Sequence, residues 1–231
     1  MINPKTAVYI ESTFNKNFLP KLNGVDYLPA VKKNDIYRDA EKYDRFLIVD
    51  GVFATSRAVW QREIIHAITI GKTVLGCSSI GALRAAELGV HGMIGSGWVY
   101  KNVLSATIEG DDEVSLLYSV DPSGNIISYS VPMATIMWIL SSIYGQHYLS
   151  DINAAKFLNR IKSKPFNERT FSYILNVANN MLPLSVVNLL KFRLQKKEYD
   201  IKSLDFINLL GRLYNRDLSP LLETVENLYY E

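Results

Sequence analysis

The chain has a single cysteine, Cys77, among 231 residues. That excludes an internal disulfide framework and any zinc site built from several cysteines. An excess of one charge is also missing: 25 basic against 23 acidic residues leave a formal +2, too balanced to favour a phosphate backbone as partner without a clustered patch. No apolar run reaches membrane-spanning length. The most hydrophobic stretch, residues 131–144, is broken by Pro132 and hydroxyl side chains and falls short of the roughly 20 residues a span needs, so it reads as a core helix. The opening Met1-Ile2-Asn3-Pro4-Lys5 lacks a charged segment followed by an apolar one, so no export signal is expected. Glycine-rich nucleotide loops of the Gly-x-Gly-x-x-Gly or Walker type are absent as well, which makes a nucleotide-binding module the weakest functional reading. The expectation is a cytoplasmic protein with no nucleic-acid and no membrane partner.

What is present is an ordinary globular composition, 48% hydrophobic, enough to bury one large core or a core with an appendage. Short β-branched and aromatic runs at residues 7–10, 25–28, 46–49 and 73–75 read as strands. Amphipathic stretches lie between them, and that alternation implies βαβ units and a parallel sheet. Before the fourth strand, Trp60, Ile64, Ala67 and Ile68 make one apolar stripe, with Ser56 as the expected N-cap and Gly71 as the stop. Residues 114–118 and 126–130, joined by Asp121-Pro122-Ser123-Gly124, read as a hairpin. After residue 131 glycine becomes scarce and helical spacing runs to the end, with breaks near residues 148–150, 164–165, 182–183 and 219–220. The fold class is therefore α/β, an N-terminal parallel-sheet, Rossmann-like core over residues 1–131 followed by a helical region over 132–231.

In such a sheet the ligand crevice lies beyond the carboxyl ends of the strands. The residues that follow the strands here are Glu11-Ser12, Asp50-Gly51 and Cys77-Ser78-Ser79. The fourth strand turns sharply into a small-residue helix, and the backbone amides from Gly76 to Gly81 would enter a helix N-terminus that favours an anion or a developing oxyanion. Each element also has a plainer explanation. Ser78 or Ser79 caps the helix; Ala82, Ala85 and Ala86 pack it on the sheet; Cys77 is a small buried hydrophobe. Arg84 and Glu87 form a helical ion pair of small weight, and Asp50 shapes a turn. Gly76 precedes Ser79 by three residues, where a hydrolase elbow of the form Gly-x-Ser-x-Gly requires two. His66, His91 and His147 cannot be paired with a serine from sequence. The run Asp111-Asp112-Glu113 reads as a solvated loop before a strand, and no metal is expected.

Taken together, Asp50-Gly51, Trp60 with Glu63, Ser79-Ile80-Gly81-Ala82-Leu83-Arg84-Ala85-Ala86-Glu87-Leu88, Gly92-Met93-Ile94-Gly95, Tyr100 and Asp111-Asp112-Glu113-Val114 occur in the order and spacing of the TfuA-like core domain. The resemblance covers about residues 28 to 135 and takes in Leu28-Pro29-Ala30-Val31-Lys32-Lys33-Asn34-Asp35-Ile36. It stops short of the C-terminal helices. Two places depart from the family pattern: Glu11-Ser12-Thr13-Phe14 stands where a Gly-Pro-Ser-Leu-like turn is common, and Thr135 and Met137 stand where many relatives carry Asn and Arg.

The resemblance implies a partner of a YcaO-type enzyme in backbone thioamidation of ribosomally made peptides or proteins. It further implies a sulfur-transfer role as a hydrolase that releases sulfide from a thiocarboxylated ubiquitin-like sulfur-carrier protein, with a precursor peptide as a further partner and no cofactor. Ser79 is then the expected nucleophile or oxyanion-orienting hydroxyl, Arg84 the group that positions the thiocarboxylate, and Asp50 the carboxylate that orients a base or water. Glu87 would hold Arg84, and Ser12, Gly51, Cys77, Ser78 and Gly81 would line the substrate. Ser79 and Arg84 stand about 140° apart around an ideal helix. The alternative is a non-catalytic recruitment protein that docks YcaO, the carrier or the peptide.

Overall fold

The four apolar runs do pair with one another. In a computed structural model describing residues 4–53, 57–144, 151–225 and 227–229, the chain forms two compact units. The first contains Met1–Asp111 and Asp205–Leu218. Its sheet is built from β1 (Thr6–Tyr9), β2 (Val25–Leu28), β3 (Arg45–Ile48), β4 (Thr73–Gly76) and β5 (Ile94–Gly95). All neighbours are parallel, in the order β2-β1-β3-β4-β5. The helices α1 (Asp35–Asp39), α2 (Gln61–Thr69), α3 (Ile80–Leu88) and α4 (Trp98–Leu104) belong to the same unit. Every side chain of β1 is buried, and so are Phe46, Leu47 and Ile48 of β3. Strands covered on both faces need apolar residues at every position rather than at alternate ones, which is why they stand out in the sequence.

One expectation needs correction here, and one strand had none. The strand β5 is only two residues long and half glycine, too little pattern to register. Helix α2 begins at Gln61, so the N-cap position belongs to Trp60, whose N–H donates to the Glu63 carboxylate at 2.8 Å; Ser56 lies outside the described residues. Gly71 does end the helix, at φ +84°.

The second unit contains Asp112–Leu204 and Ser219–Glu231. The expected strand at 114–118 is displaced: Val114 closes a short helix α5 (Asp111–Val114), and the hairpin pairs β6 (Tyr118–Val120) with β7 (Ile126–Ser128). The cause is electrostatic. Asp112 pairs with the buried Arg169 at 2.7 Å and Glu113 with Lys162 at 3.1 Å, so the acidic run is a paired helix rather than a solvated loop. The helices that follow are α6 (Met133–Tyr144), α7 (Asp151–Lys162), α8 (Phe171–Met181), α9 (Leu184–Leu194), α10 (Ile201–Tyr214) and α11 (Pro220–Glu223). Breaks fall before Pro165, Pro183 and Pro220; the one at 148–150 lies outside the described residues. The tail is not wholly helical, because β8 (Leu228–Tyr229) adds to β7 in parallel and Tyr229 stacks on Phe171 with ring centres 5.0 Å apart.

Helix α10 belongs to the first unit from Asp205 onward. There the Asp205 carboxylate accepts from the N–H groups of Trp98 (2.7 Å) and Val99 (2.8 Å), the unpaired donors that open α4. Gly97 makes room for it: its φ is +101°, and a Cβ at this position would overlap the Asp205 carboxyl. Burial pushes Asp205 up to about 6, against the lowering pull of those two amides, Lys101 and Arg212. A carboxyl that holds its proton more tightly when folded stabilises the fold fully below its unfolded value near 3.8, and that contribution disappears as pH rises through about 6. At about 1.4 kcal/mol per pH unit the loss amounts to about 2–3 kcal/mol. Urea unfolding of wild type and Asp205→Asn between pH 4 and 7 should therefore give curves that converge or cross as pH rises, and parallel curves would refute the assignment.

Candidate functional site

The strand order reverses between β1 and β3, so the crevice at the carboxyl end of the sheet opens between the segments that follow them. Asp50 follows β3 and is 2% exposed. Its carboxylate accepts four hydrogen bonds from the loop after β1: Glu11 N–H at 2.9 Å, Thr13 N–H at 2.8 Å, Thr13 Oγ1 at 2.7 Å and Ser12 Oγ at 3.2 Å. Four donors occupy the whole acceptor capacity of a carboxylate. Asp50 thus ties two neighbouring loops together, and Ser12, expected among substrate-lining residues, is one of its donors. Thr13, which supplies two of the bonds, had no distinguishing signal in the sequence.

The turn between β4 and α3 is tighter than its sequence implies. A Cβ at Gly76 would overlap the Gly81 carbonyl, and a Cβ at Gly81 would overlap the Ile48 carbonyl. Two glycines therefore let the start of α3 rest directly on β3. Ser79 N–H donates to Cys77 O across one residue at 2.8 Å, a γ-turn that holds Ser78 at φ +67°. Strain in this turn sits on Ser78, which does follow Gly76 by two residues, although Ile80 stands where an elbow would place its second glycine. Ser79 occupies the N-cap position without a side-chain cap bond.

Most of the turn's amides are already used. Cys77 N–H goes to Ile48 O, Ser79 N–H to Cys77 O and Gly81 N–H to Val49 O. Ser78 N–H and Ile80 N–H have no partner among the described residues, so the broad cradle expected from Gly76 to Gly81 narrows to two donors. One helical turn beyond Ile80 stands Arg84. Its Nη1 holds both oxygens of Glu87 at 2.7 Å, and Glu87 also accepts from Gln61 Nε2 at 2.7 Å. Among the described residues Arg84 Nε is buried with no hydrogen-bond partner.

Cys77 is fully buried. Burial pushes its thiol far up, and Asp205 and Asp50 add to the shift while the Ser78 hydroxyl opposes it. It is a thiol, not a thiolate nucleophile. His66 lies beside the Tyr37 ring, 5.2 Å between centres; His91 is exposed in a short 3-10 turn after α3; His147 lies outside the described residues. Gly51 backs the site, since a Cβ there would press on Ile80 at 3.1 Å and Val31 at 3.3 Å. Among the described residues no cluster of His, Cys, Asp and Glu could hold a metal ion, and no helix is long and apolar enough to cross a membrane.

A family model for TfuA-like protein matches residues 50–170, more than half of the chain. The chain belongs to the TfuA-like family. The match begins at Asp50, takes in the whole β4–α3 turn with Arg84 and Glu87, and reaches further into the helices than the sequence motifs alone, through Arg169. No curated protein matches the chain. TfuA-like proteins are associated with YcaO enzymes and thioamidation.

Removing the Asp50 carboxylate leaves two backbone amides and two hydroxyls of the loop after β1 without their acceptor. Asp50→Ala should cost about 3–5 kcal/mol and Asp50→Asn, which keeps one acceptor, about 1–3 kcal/mol, in urea unfolding monitored by circular dichroism. Equal, small losses for both would show that the four bonds do not hold the loop.

Proposed function

We propose that this TfuA-like protein is a sulfide-releasing hydrolase that acts on a thiocarboxylated ubiquitin-like sulfur carrier and supplies sulfur to a YcaO enzyme for backbone thioamidation. The observation that carries the reading is the pair of open amides at the start of α3, Ser78 N–H and Ile80 N–H, with Arg84 one helical turn further along the same helix. A thiocarboxylate is an anionic acyl group, and two helix-terminal amides with a guanidinium suit both its charge and the oxyanion that forms on attack. Attack of Ser79 Oγ on the acyl carbon forms the C–O bond, breaks the C–S bond, and the hydroxyl proton leaves with sulfur as hydrosulfide. Water then hydrolyses the seryl ester to free serine and carrier carboxylate. Arg84 holds the anion, Glu87 holds Arg84 and is itself held by Gln61 Nε2, and Asp50 positions the neighbouring loop rather than acting as a base.

A second reading, a recruitment protein that binds the carrier tail without turning it over, draws on a specific observation. Ser78 and Ser79 are 0% and 5% exposed, and the acceptor sites of Asp50 are occupied by its own loop.

Purified thiocarboxylated carrier incubated with this chain alone separates the two. The hydrolase reading expects sulfide release with conversion of the carrier to its carboxylate by mass. Ser79→Ala should lower kcat about 10²–10³-fold with little change in KM, and Arg84→Gln should raise KM about tenfold. Undiminished turnover by Ser79→Ala removes the nucleophile assignment, and tight carrier binding without turnover by wild type favours recruitment.

A further inference from the structure

Beside the β4–α3 turn lies a group of cations that neither the fold nor the proposed chemistry consumes. Trp60, at the start of α2, is half-buried. Lys33 Nζ sits over its ring at 3.7 Å from the centroid and the Arg62 guanidinium at 3.8 Å. Lys32 is adjacent and exposed. The segment that carries the lysines is fixed to the site: Val31 N–H donates to Asp50 O at 2.9 Å, Val52 N–H to Val31 O at 3.0 Å, and Lys33 N–H to Arg57 O at 2.7 Å. Val31 and Ile80, the first residue of α3, both flank Gly51.

The acidic side chains that could neutralise these cations are engaged elsewhere. Asp35 holds Arg38 at 2.7 Å and the Lys32 N–H at 3.0 Å. Glu63 is fully buried and accepts from the N–H groups of Trp60, Asn34 and Ile36. Glu87 is held by Arg84 and Gln61. Among the described residues Lys32, Lys33 and Arg62 make no ion pair. Like charges gathered on one ring repel each other, and cation–π attraction only offsets part of that cost. An external anion completes the arrangement.

We propose that Lys32, Lys33 and Arg62, organised by Trp60, form a docking surface for an acidic segment of a protein partner, next to the β4–α3 turn. Charge complementarity names the occupant. A single-stranded nucleic acid is the weaker fit, because such strands stack bases on free aromatic faces, and the Trp60 ring is already covered by its two cations. The surface places an acidic partner within reach of the anion-accepting turn whether or not that turn performs hydrolysis.

Fluorescence anisotropy with a fluorescein-labelled deca-glutamate peptide tests the surface, with a single-stranded RNA ten-mer as comparison. The peptide should bind wild type, weaken several-fold between 50 and 200 mM salt, and lose at least tenfold in affinity in the Lys33→Glu/Arg62→Glu variant. Arg62→Gln, which removes one charge from an exposed position, should lose about threefold and keeps the test open if the double variant folds poorly. Unchanged peptide affinity in both variants overturns the proposal. So does tighter RNA binding that the same variants abolish, or failure of wild type to bind the peptide. Peptide binding by a chain that releases no sulfide from a thiocarboxylated carrier supports this surface while refuting the hydrolase reading.

Discussion

The contact between Gly81 and the Ile48 carbonyl sets the position of everything at the carboxyl edge of the sheet. With no side chain between them, the first turn of α3 lies directly on β3, and the connection from β4 has only Cys77, Ser78 and Ser79 in which to reverse direction. That shortage of chain forces the γ-turn and the positive φ at Ser78. The same compression consumes the amides of Cys77, Ser79 and Gly81 and leaves those of Ser78 and Ile80 facing no acceptor. The open amide pair is thus a by-product of close packing. An alanine at either glycine position would remove it by moving α3.

Around this turn, buried charge is used chiefly for construction. Asp50 gathers the β1 loop, Glu63 gathers the amides that open α1 and α2, and Asp205 caps α4. Each carboxylate satisfies backbone donors that would otherwise be buried without partners, at a cost comparable to a lost hydrogen bond apiece. Arg84 stands apart because one of its donors is left over. The contrast is between fully committed carboxylates and a guanidinium with one donor to spare. It also explains why a carboxylate placed after a strand, which reads as a candidate base, is here a brace.

The second unit shows the same economy with different partners. Arg169 is 1% exposed and donates to the carbonyl oxygens of Lys164 and Asp112 as well as to the Asp112 carboxylate. Asp200 is held by Lys197, Thr135 and Ser203, and Lys197, Lys202 and Ser203 keep its carboxyl below the usual range despite burial. Thr135, which departs from the family pattern, therefore has a structural partner of its own in this chain.

Several features could be read directly from the residues. The strands β1, β3 and β4 announce themselves as apolar runs because both faces are largely buried, the half-buried edge strand β2 shows only its β-branched and aromatic residues, α2 shows its 3.6-residue stripe and its glycine stop, and the Arg84–Glu87 pair follows from helical spacing. The turn after β4 could be located, and its motifs sufficed to suggest the family. What depended on tertiary structure was the use of each group. Asp50 meets Glu11, Ser12 and Thr13 only because β1 and β3 are neighbours, and Asp205 reaches α4 across 107 residues. The strands β5 and β8 are two residues long and exist because neighbours offer them hydrogen bonds, not because their own pattern demands it. Local periodicity reports which face a segment buries. Which donor meets which acceptor is decided by long-range packing, and in this protein that packing separates the carboxylates that brace the fold from the donors left open to a ligand.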